Sequence, residues 1–76
     1  MSLKIGQLVR INFQFRSLKD QSSAAFMNKA GRWVDLDNQQ VGLICASSKG
    51  PRSKRTVLFG DQLFTMWRDA LEPVDV

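Results

Sequence analysis

The stretch that decides the fold is Val41–Phe59, with the sequence VGLICASSKGPRSKRTVLF. Two apolar runs, VGLICAS and TVLF, flank the segment SKGPRSKR, in which Gly, Pro and Ser favour a turn. Apolar runs of four to eight residues bounded in this way are typical of strands. The stretch therefore predicts a β-hairpin, and its first arm should be the most buried strand because both of its faces are apolar.

Two residues of this first arm carry further expectations. Gly42 stands near the start of the strand, where glycine often marks a β-bulge or a close approach of another backbone. Cys45 is the only cysteine, which excludes an intrachain disulfide and suits a reducing cytoplasm. In an apolar strand we expect Cys45 to be a small core residue, since a reactive thiol needs exposure and a positive field.

A strand is also predicted over Val9–Arg16, where the sequence VRINFQFR alternates apolar and polar residues. Gly6 should mark a turn just before this strand. Near the C-terminus we expect a strand at Leu63–Trp67, a 3-10 turn at Arg68–Ala70 and a short edge strand at Leu71–Val74. The spacing of the apolar residues in 63–71 also fits an amphipathic helix, which is the alternative for this segment.

Residues 22–36 have two interpretations. Ser22 can cap a short helix that contains Ala24, Ala25, Phe26 and Met27. The turn-like segment Asn28–Gly31, followed by the strand-like RWVDL, favours a second hairpin instead, and we prefer the hairpin. In all, the 76 residues predict a single, mostly β domain over 1–76, a small barrel of five to six short antiparallel strands with a 3-10 turn near the C-terminus.

Short motifs along nearly the whole chain resemble those of small SH3-like β-barrels. The motifs are a Gly-x-x-Val first strand, a Gly-Φ-Ile strand, a V-x-F strand and a final L-E-x-V segment, here Gly6 with Val9, Gly42 with Leu43 and Ile44, Val57 with Phe59, and Leu71–Val74. Small bacteriophage- or mobile-element-encoded proteins look similar. The resemblance implies an SH3-like barrel and says little about function.

The plasmid-encoded type II dihydrofolate reductases are also SH3-like barrels of comparable length. The segment LFTMWRDALEPV shares Ala70, Leu71 and Glu72 with the end of these enzymes. It lacks the glutamine and tyrosine of their catalytic Val-Gln-Ile-Tyr segment, because Leu63–Met66 occupies that place. The resemblance to these enzymes therefore does not imply a reductase activity for this chain. The chain has no histidine, and no nucleophile–base pair or glycine-rich phosphate loop can be assembled from it, so no catalytic function and no cofactor are expected.

The charge distribution suggests a polyanion as one class of partner. The net charge is +4, but residues 1–55 hold ten cations against three carboxylates, whereas residues 56–76 hold one cation against four carboxylates. Cations on a protruding turn can contact phosphates. The candidate nucleic-acid- or anion-binding residues are Lys49, Arg52, Lys54, Arg55, Arg10 and Arg32. The alternative is a solvated turn that keeps the protein soluble.

Large apolar residues suggest a protein interface as the other class of site. Aromatic and methionine side chains are enriched at binding hot spots, and the candidates here are Trp33, Phe64 and Trp67. The alternative is that they fill the barrel. Asp35 and Asp37 share a strand face, but without further ligand types we expect no metal site.

The preferred hypothesis is a non-catalytic module for protein–protein contact or assembly, which could include formation of a homo-oligomer. The alternative is nucleic-acid binding through the basic segment 49–55. The sequence has no apolar run of the length of a membrane span, so we expect no membrane association and a cytoplasmic location, in the host cell if the chain is phage-encoded.

Overall fold

The computed structural model describes residues 3–14, 19–47 and 54–74. These residues form seven strands and a 3-10 turn, and none of them is in an α-helix. In chain order the elements are β1 Leu8–Ile11, β2 Ser23–Met27, β3 Trp33–Asp37, β4 Gly42–Ser47, β5 Lys54–Phe59, β6 Gln62–Trp67, the 3-10 turn Arg68–Ala70 and β7 Leu71–Pro73. The expectation of a mostly β chain is confirmed.

The strands form two antiparallel sheets. Five strands lie in the order β6-β5-β4-β1-β7, and β2 pairs with β3 in a separate hairpin. The hairpin contacts the edge of the larger sheet at β6, where Asn28 forms a bridge with Phe64 and the Lys29 N–H donates to the Leu63 carbonyl at 2.8 Å. The two outer strands of the larger sheet, β6 and β7, are not paired with each other in the described residues, so no closed barrel is formed there.

The core lies between the inner face of the five-stranded sheet and the β2–β3 hairpin. Strand residues alternate between the two faces of a sheet, and the inward positions are apolar except for Arg55 on β5. Phe59 and Phe64 pack edge to face in the core, with ring centroids 5.8 Å apart. The buried set that packs together is Leu3, Val9, Ile11, Phe13, Leu36, Ile44, Val57, Phe59, Phe64, Met66 and Leu71.

Strand β1 is shorter than the alternating sequence predicts. It ends at Ile11 rather than Arg16 because the Asn12 side-chain oxygen accepts the Gln14 N–H at 2.9 Å, a local turn that competes with strand pairing. Phe13 is nevertheless buried, and the remaining two residues of the predicted strand, 15 and 16, lie outside the described residues. The turn expected before the strand is confirmed, since Gly6 has a φ of 91°.

The segment for which the sequence allowed either a helix or a hairpin, residues 22–36, forms a hairpin. Strands β2 and β3 pair from Ser23 with Asp37 to Met27 with Trp33, which confirms the preferred interpretation over the helix. The Asn28 side-chain oxygen accepts the N–H groups of Ala30 and Arg32 at 3.0 and 2.9 Å and so holds the turn. Leu36 is the hairpin's fully buried residue.

Strand β4 departs from the prediction that it is the most buried strand. Leu43 and Cys45 are exposed, and so are Ala46 and Ser47. The expectation that Cys45 belongs to the core is therefore wrong. Only one face of the sheet is covered, and the register with β5 shifts between Ile44 and Ala46, which makes Cys45 the extra residue of a bulge.

The C-terminal elements agree with the sequence. Strand β6, the 3-10 turn and β7 replace the alternative helix over 63–71. Strands β5 and β6 are joined by a two-residue turn in which Gly60 has a φ of 63°, as glycine-first hairpin turns require. Pro73 ends the edge strand β7, where it interrupts no further ladder.

Gly42 offers a test of the core packing. A Cβ atom at this position would lie 2.6 Å from Val57 Cγ1 and 2.9 Å from Phe59 Cε1, so the space beside Gly42 is filled by side chains of β5 and not by a neighbouring backbone. We expect Gly42→Ala to lower the free energy of unfolding by about 1–3 kcal/mol through overpacking. Urea unfolding followed by circular dichroism measures the change.

Ala46→Ser is the matched control, because it adds one atom at an exposed position of the same strand. It should change the free energy of unfolding by less than about 0.5 kcal/mol. Equal stability of Gly42→Ala and wild type would contradict the close packing of β4 on β5.

Candidate interaction surface

A row of leucines crosses the outer face of the five-stranded sheet. Leu8 pairs with Leu43, Leu43 with Leu58, and Leu58 with Leu63. Directly paired residues of antiparallel strands point to the same face, so the four side chains form one line perpendicular to the strands. We call Leu8, Leu43, Leu58 and Leu63 the leucine row.

The leucine row is partly exposed. Leu8 retains 39%, Leu43 37% and Leu63 40% of its accessible surface, and Leu58 is half-buried. The next residue along each strand points inward and is buried, as Val9 and Phe64 illustrate. An antiparallel sheet with one solvated face usually places polar residues outward. Four leucines in register on that face are therefore a departure from the usual pattern.

The rest of the outer face sets the limits of this apolar line. Towards one end of the strands the next paired positions are Thr56 and Thr65, followed by the pair Lys54 and Trp67. The Lys54 ammonium lies 4.8 Å from the Trp67 ring centroid, a cation–π contact that leaves 42% of Trp67 exposed. Towards the other end lies Val41, which precedes β4 and is also exposed.

The β2–β3 hairpin carries a second, smaller apolar spot. Met27 and Trp33 are directly paired, and Trp33 retains 67% of its accessible surface. The Asn28 side-chain N–H donates to the Gln62 side-chain oxygen at 2.7 Å, which ties this end of the hairpin to β6. The two residues are thus held on a part of the hairpin that is fixed to the larger sheet.

The predicted interface residues fall into two groups. Trp33 and Trp67 are exposed, and the alternative that they fill the core is wrong for both. Phe64 is fully buried against Phe59, so the prediction that it belongs to an interface is wrong, because its side chain has no surface to offer a partner. The sequence did not predict a site at Leu8, Leu43, Leu58 and Leu63, because their common face becomes visible only when the strand pairing is known.

Arg55 is a structural residue in this fold. The sequence placed it in the basic turn, but β5 begins at Lys54, so Arg55 lies in the strand on its inward side and is buried. Its Nε donates to the Leu3 carbonyl at 2.9 Å and its Nη1 to the Lys54 carbonyl at 3.3 Å. The guanidinium therefore anchors the N-terminal segment to β5 and is not presented to a phosphate.

The other predicted cations are not brought together in the described residues. Arg10 forms an ion pair with Glu72 at 2.7 Å and lies two residues beyond the leucine row, whereas Lys54 lies four residues beyond it in the opposite direction. At ~3.4 Å per residue the two are about 20 Å apart along the strands. Arg32 is exposed on the hairpin. Lys49 and Arg52 lie outside the described residues, and nucleic-acid binding through segment 49–55 stays a prediction.

Acidic residues do not gather into a metal site in the described part of the chain. Asp35 and Asp37 lie on the same exposed face of β3, as the sequence predicts. Within residues 3–14, 19–47 and 54–74, no group of three or more His, Cys, Asp or Glu side chains could hold a metal ion. No helix of the described residues could cross a membrane.

Comparison with known proteins identifies no relative. No protein-family model matches the chain, and neither the curated proteins nor the solved structures include a significant match.

The neighbouring cations Lys54 and Arg55 offer a test of their different roles. We expect Arg55→Gln to lower the free energy of unfolding by about 1.5–3 kcal/mol, because it removes hydrogen bonds from a buried charged donor. Lys54→Gln should cost about 0.5–1 kcal/mol, the usual range of an exposed cation–π contact. Urea unfolding of both variants measures the difference, and an Arg55→Gln protein as stable as Lys54→Gln would contradict the anchoring role.

Proposed function

We propose that this chain is a small, non-catalytic interaction module that binds protein through the outer face of its five-stranded sheet. The observation that carries the proposal is the leucine row, with one leucine on each of four adjacent strands. A sheet face of this kind is costly to leave in water. The regular spacing of the leucines, one on each strand, also suits a flat, apolar partner surface.

A partner that covers this face would bury apolar surface that is exposed to solvent in the single chain. Complete burial of a leucine contributes about 1.5–3 kcal/mol, and three leucines of the row keep somewhat more than a third of their surface exposed. Covering the remainder would contribute roughly 0.5–1 kcal/mol for each of these leucines. Trp67, an aromatic residue at the end of the face, adds a side chain of the type that dominates binding hot spots.

The proposal includes an SH3-like arrangement of the strands. The motif residues that suggest it lie on strands or just before them: Val9 lies on β1 and Gly6 two residues before that strand, Gly42 and Ile44 lie on β4, Val57 and Phe59 on β5, and Leu71 on β7. The 3-10 turn precedes β7, and β7 pairs with β1, so the last strand lies beside the first. These features support the fold assignment, and the absence of histidine from the sequence supports a non-catalytic role.

Site-specific photo-crosslinking in the native cell tests the proposal. A photoreactive phenylalanine analogue in place of Leu43 should crosslink the chain to protein, because this position lies in the middle of the leucine row. The same analogue at Asp35, an exposed position on the outer side of the β2–β3 hairpin, is the matched control and should give at least about tenfold less crosslinked product.

Denaturing gels with mass spectrometry measure the products. Crosslinking that is equal at the two positions, or absent at Leu43, would overturn the proposed use of the sheet face. Circular dichroism of both labelled proteins checks that they remain folded.

A further inference from the structure

We infer that the partner is a second copy of this chain, docked face to face with a two-fold axis along the leucine row. The inference rests on the proposed function, since it uses the same surface. It goes beyond that function by identifying the occupant and its orientation.

The symmetry of a homodimer fits the layout of the row. In a two-fold contact the same patch is used on both subunits, and two packed sheets keep their strand directions within about 30° of each other. A two-fold axis that runs along the row leaves each leucine opposite its own counterpart, Leu43 against the Leu43 of the second copy. The rotation also exchanges the two ends of every strand, so one end of the sheet lies over the opposite end of its copy.

The charges at the two ends of the sheet are complementary under this rotation. Lys54 lies at the end where Arg55 binds the Leu3 carbonyl, so Lys4 is also near this end. Asp61 lies at the other end, in the turn between β5 and β6. Arg10 neutralises Glu72 in an ion pair on the same side of the row, so Asp61 makes this end net acidic. The rotation places the lysine end of one copy over the acidic end of the other. A rotation about an axis parallel to the strands would instead set like charges together.

The area of the face is suited to a sheet and too broad for a single strand. Five strands at ~4.8 Å spacing make a face about 24 Å wide, and the six-residue strands β4, β5 and β6 are about 20 Å long. These dimensions give a projected area of roughly 480 Å², against about 800 Å² of accessible surface buried on each partner in a standard interface, so an interface on this face requires the whole face to be covered. A second five-stranded sheet covers the leucine row together with Trp67, which lies four residues beyond the row, whereas one extended peptide laid along the row would leave Trp67 in water.

Sedimentation velocity of the purified 76-residue chain tests the inference. At concentrations from about 5 to about 200 µM, which span the affinities of weak to moderate dimers, the mass should rise from 8.6 kDa towards twice that value. Leu43→Gln should weaken the dimer at least about tenfold. Ala25→Gln, an exposed apolar-to-polar change on the β2–β3 hairpin, is the control and should leave the dimer unchanged.

A charge exchange tests the orientation. Lys54→Glu should weaken the dimer about tenfold, and Lys54→Glu combined with Asp61→Lys should restore it to within about threefold of wild type, because complementary charges face each other again. Circular dichroism and urea unfolding confirm that each variant is folded before its mass is interpreted.

A chain that stays monomeric at every concentration overturns the inference. If photo-crosslinking at Leu43 then captures a different protein, the proposed function stands and only the identity of the partner is wrong. A dimer that is unaffected by Leu43→Gln would overturn the use of the leucine row. A double charge variant no tighter than Lys54→Glu would overturn the orientation.

Discussion

The pairing register of β4, β5 and β6 determines both what this protein buries and what it exposes. The register sets Ile44 opposite Val57 and Val57 opposite Phe64, which fill the core. The same register aligns the leucine row on the outside. Because side chains alternate between faces, a slip of one residue would exchange these two sets. A core and an apolar outer face are therefore two consequences of one set of backbone hydrogen bonds.

Two local contacts hold this register in place. The turn at Gly60 fixes β5 against β6 through its positive φ. Gly42 brings β4 so close to Val57 and Phe59 that a larger residue has no room, and the bulge at Cys45 then changes the pairing before the end of β4. A chain of 76 residues buries only about 60% of its unfolded surface. Small misalignments would therefore remove a large part of its stability.

The sequence predicts well which segments form strands and turns. It predicts less well which side of each strand is buried. The turn-like segment Asn28–Gly31 placed the β2–β3 hairpin, because Asn and Gly act through local backbone chemistry. The alternation in β1 identified Val9 and Ile11 as core residues. In β4 the residues on both sides of the strand are apolar, so the sequence could not show which side is buried. Cys45 was therefore predicted to lie in the core.

For the candidate site, too, the sequence did not show which side chains are exposed on a common surface. The cation cluster was read from proximity in sequence, but a shift of two residues in the start of β5 turned Arg55 inward. Trp33 and Trp67 were predicted as candidates because they are large aromatic residues, and both are exposed, but their part in an interface stays a prediction. The leucine row has no signature within any one strand. It exists only across four paired strands, of which β1 is distant in sequence from the other three, and no pattern of period two within one strand can reveal it.

The most direct measurement of the central claim is the solvent accessibility of individual methyl groups in solution. A soluble paramagnetic agent added to the methyl-labelled chain relaxes exposed methyls, and the leucine row should lose this relaxation as the protein concentration rises while the exposed Ile5 keeps it. Such a result would place the contact on the outer face of the sheet. Relaxation of the leucine row that is independent of concentration, or that falls equally at Ile5, would contradict a dimer built on that face.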